Sequence, residues 1–307
     1  MSFNRLIDQI IKMKNPTVAG LDPKLDYVPA YIKEKAFGQY GQTLEAAAEA
    51  LYEFNVGLID ALSDVVPAVK PQMAYYEMYG WYGVRTFDRT VKYAQSKGMY
   101  VITDGKRNDI GATMEAYATG HLGLTNVEEQ SIAAFGADAL TVNGYLGTDG
   151  IKPLLDVCAA RDKGIFVLVK TSNPSSGELQ DLSLSSGETI YNRMAAMCDE
   201  WGKALPGRYG FTGVGAVVGA TYPEQLAELR AAHPSLFFLV PGYGAQGGGA
   251  KGLVGAFNND GLGAIVNSSR AIMCAYKKEG CNEQDFAGAA RREALRMKDD
   301  INSVLSC

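Results

Sequence analysis

Two histidines, two tryptophans and five cysteines are all that 307 residues hold of these types. With so little imidazole, chemistry built on a histidine base or a histidine-rich metal site has few places to sit. His121 lies between Gly120 and Gly123 and His233 precedes Pro234, so both read as surface or loop residues. The cysteines (Cys158, Cys198, Cys274, Cys281, Cys307) are odd in number, scattered, and lack metal-type spacing. Free thiols in a reducing cytoplasm fit best. No apolar run is long enough to span a bilayer, which argues against a membrane partner. Residues 1–16 read as an amphipathic helix rather than a secretion signal. Positive charge is not in excess either. Lys and Arg total 29 against 34 Asp and Glu, for a net charge of −5. Broad nucleic-acid binding, which needs a basic face, is therefore not expected. A small anion is still allowed, because a few local cations suffice.

What is present is an alternation. Short apolar runs recur at Thr17–Leu21, Val66–Lys70, Met99–Thr103, Ala137–Val142, Ile165–Lys170, Gly213–Val218, Leu236–Val240 and Gly263–Val266. Helical patterns separate them: Thr43–Leu62, Val84–Ser96, Asp109–Ala118 with Asn126–Phe135, Gly150–Ala160, Gly187–Ala204, Pro223–Ala231 and Ala250–Phe257. Two more, Ala271–Lys278 and Asn282–Val304, close the chain. Strands alternating with helices imply a parallel sheet, and eight such units imply a closed (β/α)8 TIM barrel. A doubly wound open sheet is the rival. It usually opens on a Gly-rich fingerprint, and Gly20-Leu21-Asp22-Pro23 is not one. No repeat, low-complexity tract or clear linker divides residues 1–307, so a single domain is expected, with an N-terminal helix and extra C-terminal helices.

In such a barrel the site lies at the C-terminal ends of the strands. The polar residues fall there. Asp22 follows the first run, Lys70 ends the second, Asp104 and Lys106 follow the third, Asn143 the fourth, and Thr171 and Ser172 the fifth. The stretch Asp104-Gly105-Lys106-Arg107-Asn108-Asp109 packs charge where a fold needs little. Positions i and i+2 of a strand share a face, so Asp104 and Lys106 are expected to point to one place, with Asp109 opening the next helix. Such clusters favour reaction machinery, although an ion pair capping a strand and a helix is the plainer alternative. The loops after the last two strands hold Pro241-Gly242-Tyr243-Gly244-Ala245-Gln246-Gly247-Gly248-Gly249 and Asn267-Ser268-Ser269-Arg270. Glycines let backbone amides approach an anion, a helix N-terminus adds partial positive charge, and Arg270 can grip two phosphate oxygens, so this end reads as a phosphate site. Asn173–Gly187 is too long for a plain connection and reads as a lid or a disordered loop.

The run Asp104-x-Lys106-x-x-Asp109-Ile110-x-x-Thr113 resembles the signature of the orotidine 5′-phosphate decarboxylase family. Blocks in the same order extend the likeness: Gly20–Pro23, Val69-Lys70-Pro71-Gln72, Lys170–Pro174, Pro241–Gly248 and Ser269–Ile272. Length and the form of the central run are similar to the longer (type 2), mostly bacterial branch. The resemblance implies conversion of orotidine 5′-monophosphate (OMP) to UMP in pyrimidine biosynthesis, with neither metal nor organic cofactor. It implies that Lys106 donates a proton to C6, that Asp104 sits beside the substrate carboxylate, and that Lys70 completes the charge array and with Asp22 holds ribose hydroxyls. Ser172 would read the pyrimidine, Gln246 bridge base and phosphate, Arg270 bind phosphate, and Ile110 and Pro241 line the substrate. Asp109 and Thr113 would reach into a neighbouring subunit's site, making a homodimer. Two departures from the shorter branch stand out: Asn143 where a His is common, and Asn267-Ser268-Ser269 in place of a Val-Gly pair. Two alternatives remain, a Mg-dependent hexulose-phosphate synthase and a non-catalytic nucleotide-binding barrel.

Overall fold

The computed structural model describes residues 2–244 and 249–305. Its strands are β1 (Thr17–Leu21), β2 (Ala68–Pro71), β3 (Tyr100–Arg107), β4 (Thr125–Val127), β5 (Gln130–Ile132), β6 (Ala139–Val142), β7 (Gly164–Lys170), β8 (Val214–Val218), β9 (Phe238–Pro241) and β10 (Ala264–Ser268). Eight of them close a parallel barrel in the order β1-β10-β9-β8-β7-β6-β3-β2. β4 and β5 form a separate antiparallel hairpin. The α-helices are α1 (Ser2–Met13), α2 (Ala30–Tyr40), α3 (Leu44–Leu62), α4 (Ala74–Glu77), α5 (Gly80–Ser96), α6 (Gly111–Leu122), α7 (Thr148–Arg161), α8 (Ile190–Gly202), α9 (Pro223–Ala232), α10 (Arg270–Met273), α11 (Ala275–Glu279) and α12 (Phe286–Leu305). All eight apolar runs became barrel strands, displaced by a few residues at their ends.

One end of the barrel is plugged, which leaves the other for chemistry. The amphipathic N-terminal stretch forms α1, whose Phe3, Leu6, Ile7 and Ile10 pack with Val18, Ala68 and Tyr100 at the starts of β1, β2 and β3. Phe3 stacks on Phe166 of β7 at 4.7 Å between ring centres. Burying each such side chain contributes about 1.5–3 kcal/mol before entropy is counted. A second core lies between strands and outer helices. There α3 starts on Thr43, whose hydroxyl accepts from the Ala46 amide at 3.1 Å, and buries Leu51, Phe54, Leu58 and Leu62. α12 closes over it, with Phe286 at 5.1 Å from Phe54 and against Gly57, where a Cβ would lie 2.4 Å from the ring.

Several expectations need correction. Asn126–Phe135 is no helix but contains the hairpin. Glu128 takes the left-handed conformation (φ 53°) in its turn, and Ser131 bonds back to Asn126 across it. Residues 250–256 form a 3-10 helix, and the segment read as Ala271–Lys278 splits at Cys274 into α10 and α11. α2 and α4 were not anticipated.

His121 is not a surface residue either. It is buried in the last turn of α6, with Nδ1 3.4 Å from Thr103 Oγ1. Burial, reinforced by the Arg107 charge, pushes its pKa down to about 4. A histidine with a depressed folded pKa opposes folding once the unfolded chain takes up a proton. Stability is therefore full above about pH 6.5 and falls toward pH 4, by roughly 3 kcal/mol in all. Denaturant titrations at pH 7 and pH 4.5 should show this loss, and His121→Phe should flatten most of it. An unchanged pH slope in that variant counts against the assignment.

Candidate active site

β3 does not end where the apolar run ends. It continues to Arg107 through a distortion: Thr103 pairs with Leu140 and Arg107 with Val142, so Asp104, Gly105 and Lys106 face Thr141 alone. Lys106 takes φ 48°, the left-handed region that L-residues avoid. Thr141 anchors the kink from β6, accepting from the Lys106 amide at 3.1 Å and donating to Asp104 Oδ1 at 2.7 Å. Asp104 and Lys106 thus come together by a bulge rather than by the regular pleat.

Asp104 is buried and accepts from four donors. Lys106 Nζ at 2.6 Å and Thr141 share Oδ1, while Lys70 Nζ at 2.6 Å and Gln72 Nε2 at 2.9 Å share Oδ2. Burial alone would raise its pKa. The Lys70 and Lys106 ammonium groups overrule that and hold the carboxyl well below the usual carboxylate range. Lys70, fully enclosed, shows the mirror effect. Burial pushes it down, but Asp104 and then Asp22 reverse the sign and leave its pKa above the ordinary lysine value. Asp22 Oδ1 stands 4.0 Å from Lys70 Nζ. The result is a row of alternating charges, Asp22–Lys70–Asp104–Lys106, across β1, β2 and β3. Its last member is half open: the Lys106 side chain is 46% exposed.

Beside the row lies a cavity of about 860 Å³, which meets it at Asp22 and is otherwise lined by residues such as Gly242, Gly244, Asn267, Ser269 and Arg270. Arg270 is exposed at its edge as the first residue of α10. α10 has four residues, so its macrodipole adds little and the guanidinium carries the positive charge. Lys24, Lys277 and Lys278 add cations to the wall.

The remaining expected site residues are spread around this mouth. Asp109 does not open α6. It lies before it, with Oδ1 accepting from the Ile110 amide at 2.8 Å, and Ile110 is the N-cap. Among the described residues its carboxylate pairs with no lysine of its own chain. Ile110 is 55% exposed and Thr113 is exposed in the first turn of α6. Ser172 follows β7 and is packed against Gly219, while Pro241 is the last residue of β9. Gln246 lies outside the described residues. The Asn173–Gly187 segment is not loose at its base. The ammonium of Lys170, fully buried at the end of β7, donates to Asp181 at 2.6 Å and Ser176 at 3.3 Å and lies 4.6 Å from the Tyr222 ring centre. Among the described residues, no group of three or more His, Cys, Asp or Glu side chains is placed to hold a metal ion.

Sequence reading missed Thr141 and gave Gln72 and Asn267 no task. Gln72 stood inside a quoted block, and alternation along β6 would have turned Thr141 to one definite face. Neither signal names a hydrogen-bond partner.

The family model described as Orotidine 5'-phosphate decarboxylase / HUMPS family matches residues 41–281. The chain belongs to that family. Curated orotidine 5'-phosphate decarboxylases are similar over nearly the whole length. The protein from Rhodopirellula baltica is 43% identical over 296 residues, covering 95% of this chain and 96% of its own. That from Caldicellulosiruptor saccharolyticus is 39% identical over 303 residues, covering 99% and 98%. The structure of Leishmania donovani OMP decarboxylase superposes with a TM-score of 0.75 at 27% identity, covering 99% of both chains. The orotidine 5′-phosphate decarboxylase / HUMPS family thus accounts for the closed barrel and for the order of the motif blocks along it. The match also spans three of the four members of the row, Lys70, Asp104 and Lys106, together with Asp109, while Asp22 precedes it.

Proposed function

We propose that this protein decarboxylates orotidine 5′-monophosphate to UMP in pyrimidine biosynthesis, using its lysine–aspartate row and no metal or organic cofactor. The observation that carries this is the Lys106 ammonium, held 2.6 Å from a fully engaged Asp104 yet open on its other side. Loss of CO₂ from C6 leaves an electron pair in an sp² orbital that the ring cannot delocalise. A fixed cation stabilises that pair by charge as it forms. The same ammonium then delivers a proton to C6. Asp104 cannot follow the proton, because its oxygens are already saturated by two ammonium groups, a hydroxyl and an amide. Its charge faces the substrate carboxylate and relaxes as neutral CO₂ departs. Arg270 binds the phosphate, and that remote binding energy orients the pyrimidine against Lys106. Asp22 and Lys70 take the ribose, Ser172 reads the base, Gln246 joins base to phosphate, and Ile110 and Pro241 complete the walls.

The working form in this proposal is a homodimer in which Asp109 and Thr113 serve the neighbouring subunit's site. Three features support it. Among the described residues Asp109 engages no lysine of its own chain, and Thr113 is exposed. Large apolar side chains are exposed on the segments that follow β3 and β6: Ile110, Val127 and Ile132, with Tyr145 76% exposed. An ultraviolet absorbance assay with OMP tests the reading, run with and without EDTA and over a dilution series. Loss of the orotate band, indifference to chelator, and specific activity falling on dilution are expected. No turnover, or turnover that needs a divalent ion, overturns the metal-free decarboxylase.

A further inference from the structure

On the phosphate side of the cavity part of the wall is bare backbone. Gly242 and Gly244 both border it, and both lie in the left-handed region, at φ 104° and 73°. Glycine enters that region without steric cost but brings no side chain to hold it there. Tyr243, between them, carries the only side chain of the three.

That side chain is tied to the closing helix. Tyr243 is 5% exposed and belongs to the core that takes in Ala294, Met297 and Ile301 of α12. Its hydroxyl donates to Asp300 Oδ2 of α12 at 2.5 Å. Burial, and after it this bond, push the hydroxyl's pKa up to about 12, so it keeps its proton and stays a donor at neutral pH. The helix is itself fixed. Phe286, its first residue, packs against Phe54 of α3, and Asn302 near its end donates to the Lys14 carbonyl ahead of β1 at 2.8 Å. Asp300 does not line the cavity, so it bears on a ligand there only through Tyr243.

We propose that Asp300 is a positioning residue for the phosphate end of the site: through Tyr243 it holds the Gly242–Gly244 backbone against the cavity, so that α12 sets how firmly a phosphate is gripped. The assignment rests on the cavity being the nucleotide site of the proposed decarboxylase. Backbone amides can serve an anion, and amides already in place need not be ordered when the ligand arrives. A stretch with glycine on both sides of one tyrosine has that tyrosine as its side-chain anchor. The plainer role for the bond is to stabilise the core, and the two roles differ in what they do to ligands with and without a phosphate.

The test therefore combines Tyr243→Phe, Asp300→Ala and the double variant with UMP and uridine, which differ only in the phosphate. Titration calorimetry reads UMP and an NMR titration reads uridine. Each single variant is expected to weaken UMP binding roughly tenfold while uridine stays within about twofold of wild type. The double variant should lose no more than either single one, because both remove the same bond. With OMP, KM should rise by a similar factor while kcat stays within about threefold. Tyr243→Phe keeps the ring and Asp300→Ala removes a partly exposed side chain, so a thermal melt should show both folded. Equal losses on UMP and uridine mean a general effect on the fold and overturn the proposal. Unchanged UMP affinity, or losses that add in the double variant, overturn it too. The decarboxylase reading fails separately. UMP affinity that depends on the Tyr243–Asp300 bond in a protein inert toward OMP sinks that reading and leaves the tether standing. Turnover of OMP by variants that bind UMP like wild type does the reverse.

Discussion

Lys106→Ala is expected to lower kcat by about 10⁴-fold or more while UMP binds within about tenfold of wild type, because the lysine supplies both the stabilising charge and the proton. The binding half follows from position. The phosphate end is built from β10 and the loop after β9, and it meets the charged row at Asp22, two strands from Lys106. Folding should also survive. The Lys106 side chain is half exposed, and Asp104 keeps Lys70, Gln72 and Thr141 when it is gone. Steady-state rates, UMP calorimetry and a thermal melt check the three parts. A variant that keeps near-normal kcat refutes the proton-donor role. One that loses UMP binding and activity together shows that the side chain acts in ground-state binding instead.

Asp104→Ala should be the more damaging substitution for stability. Lys70 is enclosed and its other carboxylate, Asp22, stands at 4.0 Å. Removing Asp104 leaves a buried ammonium without a close partner, which typically costs 3–5 kcal/mol. The pH dependence has a definite sign. In the wild type, Lys70 has a raised pKa, so its contribution is full below the ordinary lysine value and is lost only as pH climbs past the raised one. Asp104 has a depressed pKa, so its contribution is full above the ordinary carboxylate value and disappears only in strong acid. In the variant, burial without Asp104 favours the neutral amine, which forms more readily as pH rises. The stability gap should therefore be widest near neutrality and narrow toward alkaline pH. Urea midpoints at pH 7 and pH 10 measure it. A midpoint at pH 7 that matches wild type removes the buried pair from the energetics of the barrel.

Much of this was legible before any coordinates. Eight apolar runs separated by helical patterns leave few arrangements other than a closed parallel barrel, and their polar ends then fall at one mouth. The hairpin of β4 and β5 was not legible, because its turn is Glu128-Glu129 rather than the Asn-Gly or Asp-Gly that such turns favour. Its Val127 and Ile132 are exposed, so no alternation toward a core marked it as strand. His121 was misread because flanking glycines signalled a turn, whereas α6 runs through Gly120 and carries the ring inward. At the site, the residue types were readable and the partnerships were not. Nothing in the order of residues says that three positions of β3 must wrap one threonine of β6, or that Gly20 is empty so that Ser269 and Asn267 can enter.

The torsion at Lys106 places durability and turnover in opposition. An L-residue held at φ 48° carries roughly 1–2 kcal/mol of crowding that glycine would escape. Yet glycine has no ammonium, and no natural amino acid combines a flexible cation with freedom in that region. A library enriched solely for heat tolerance would drift toward glycine at this codon and shed its chemistry, so hardening this scaffold calls for changes placed elsewhere.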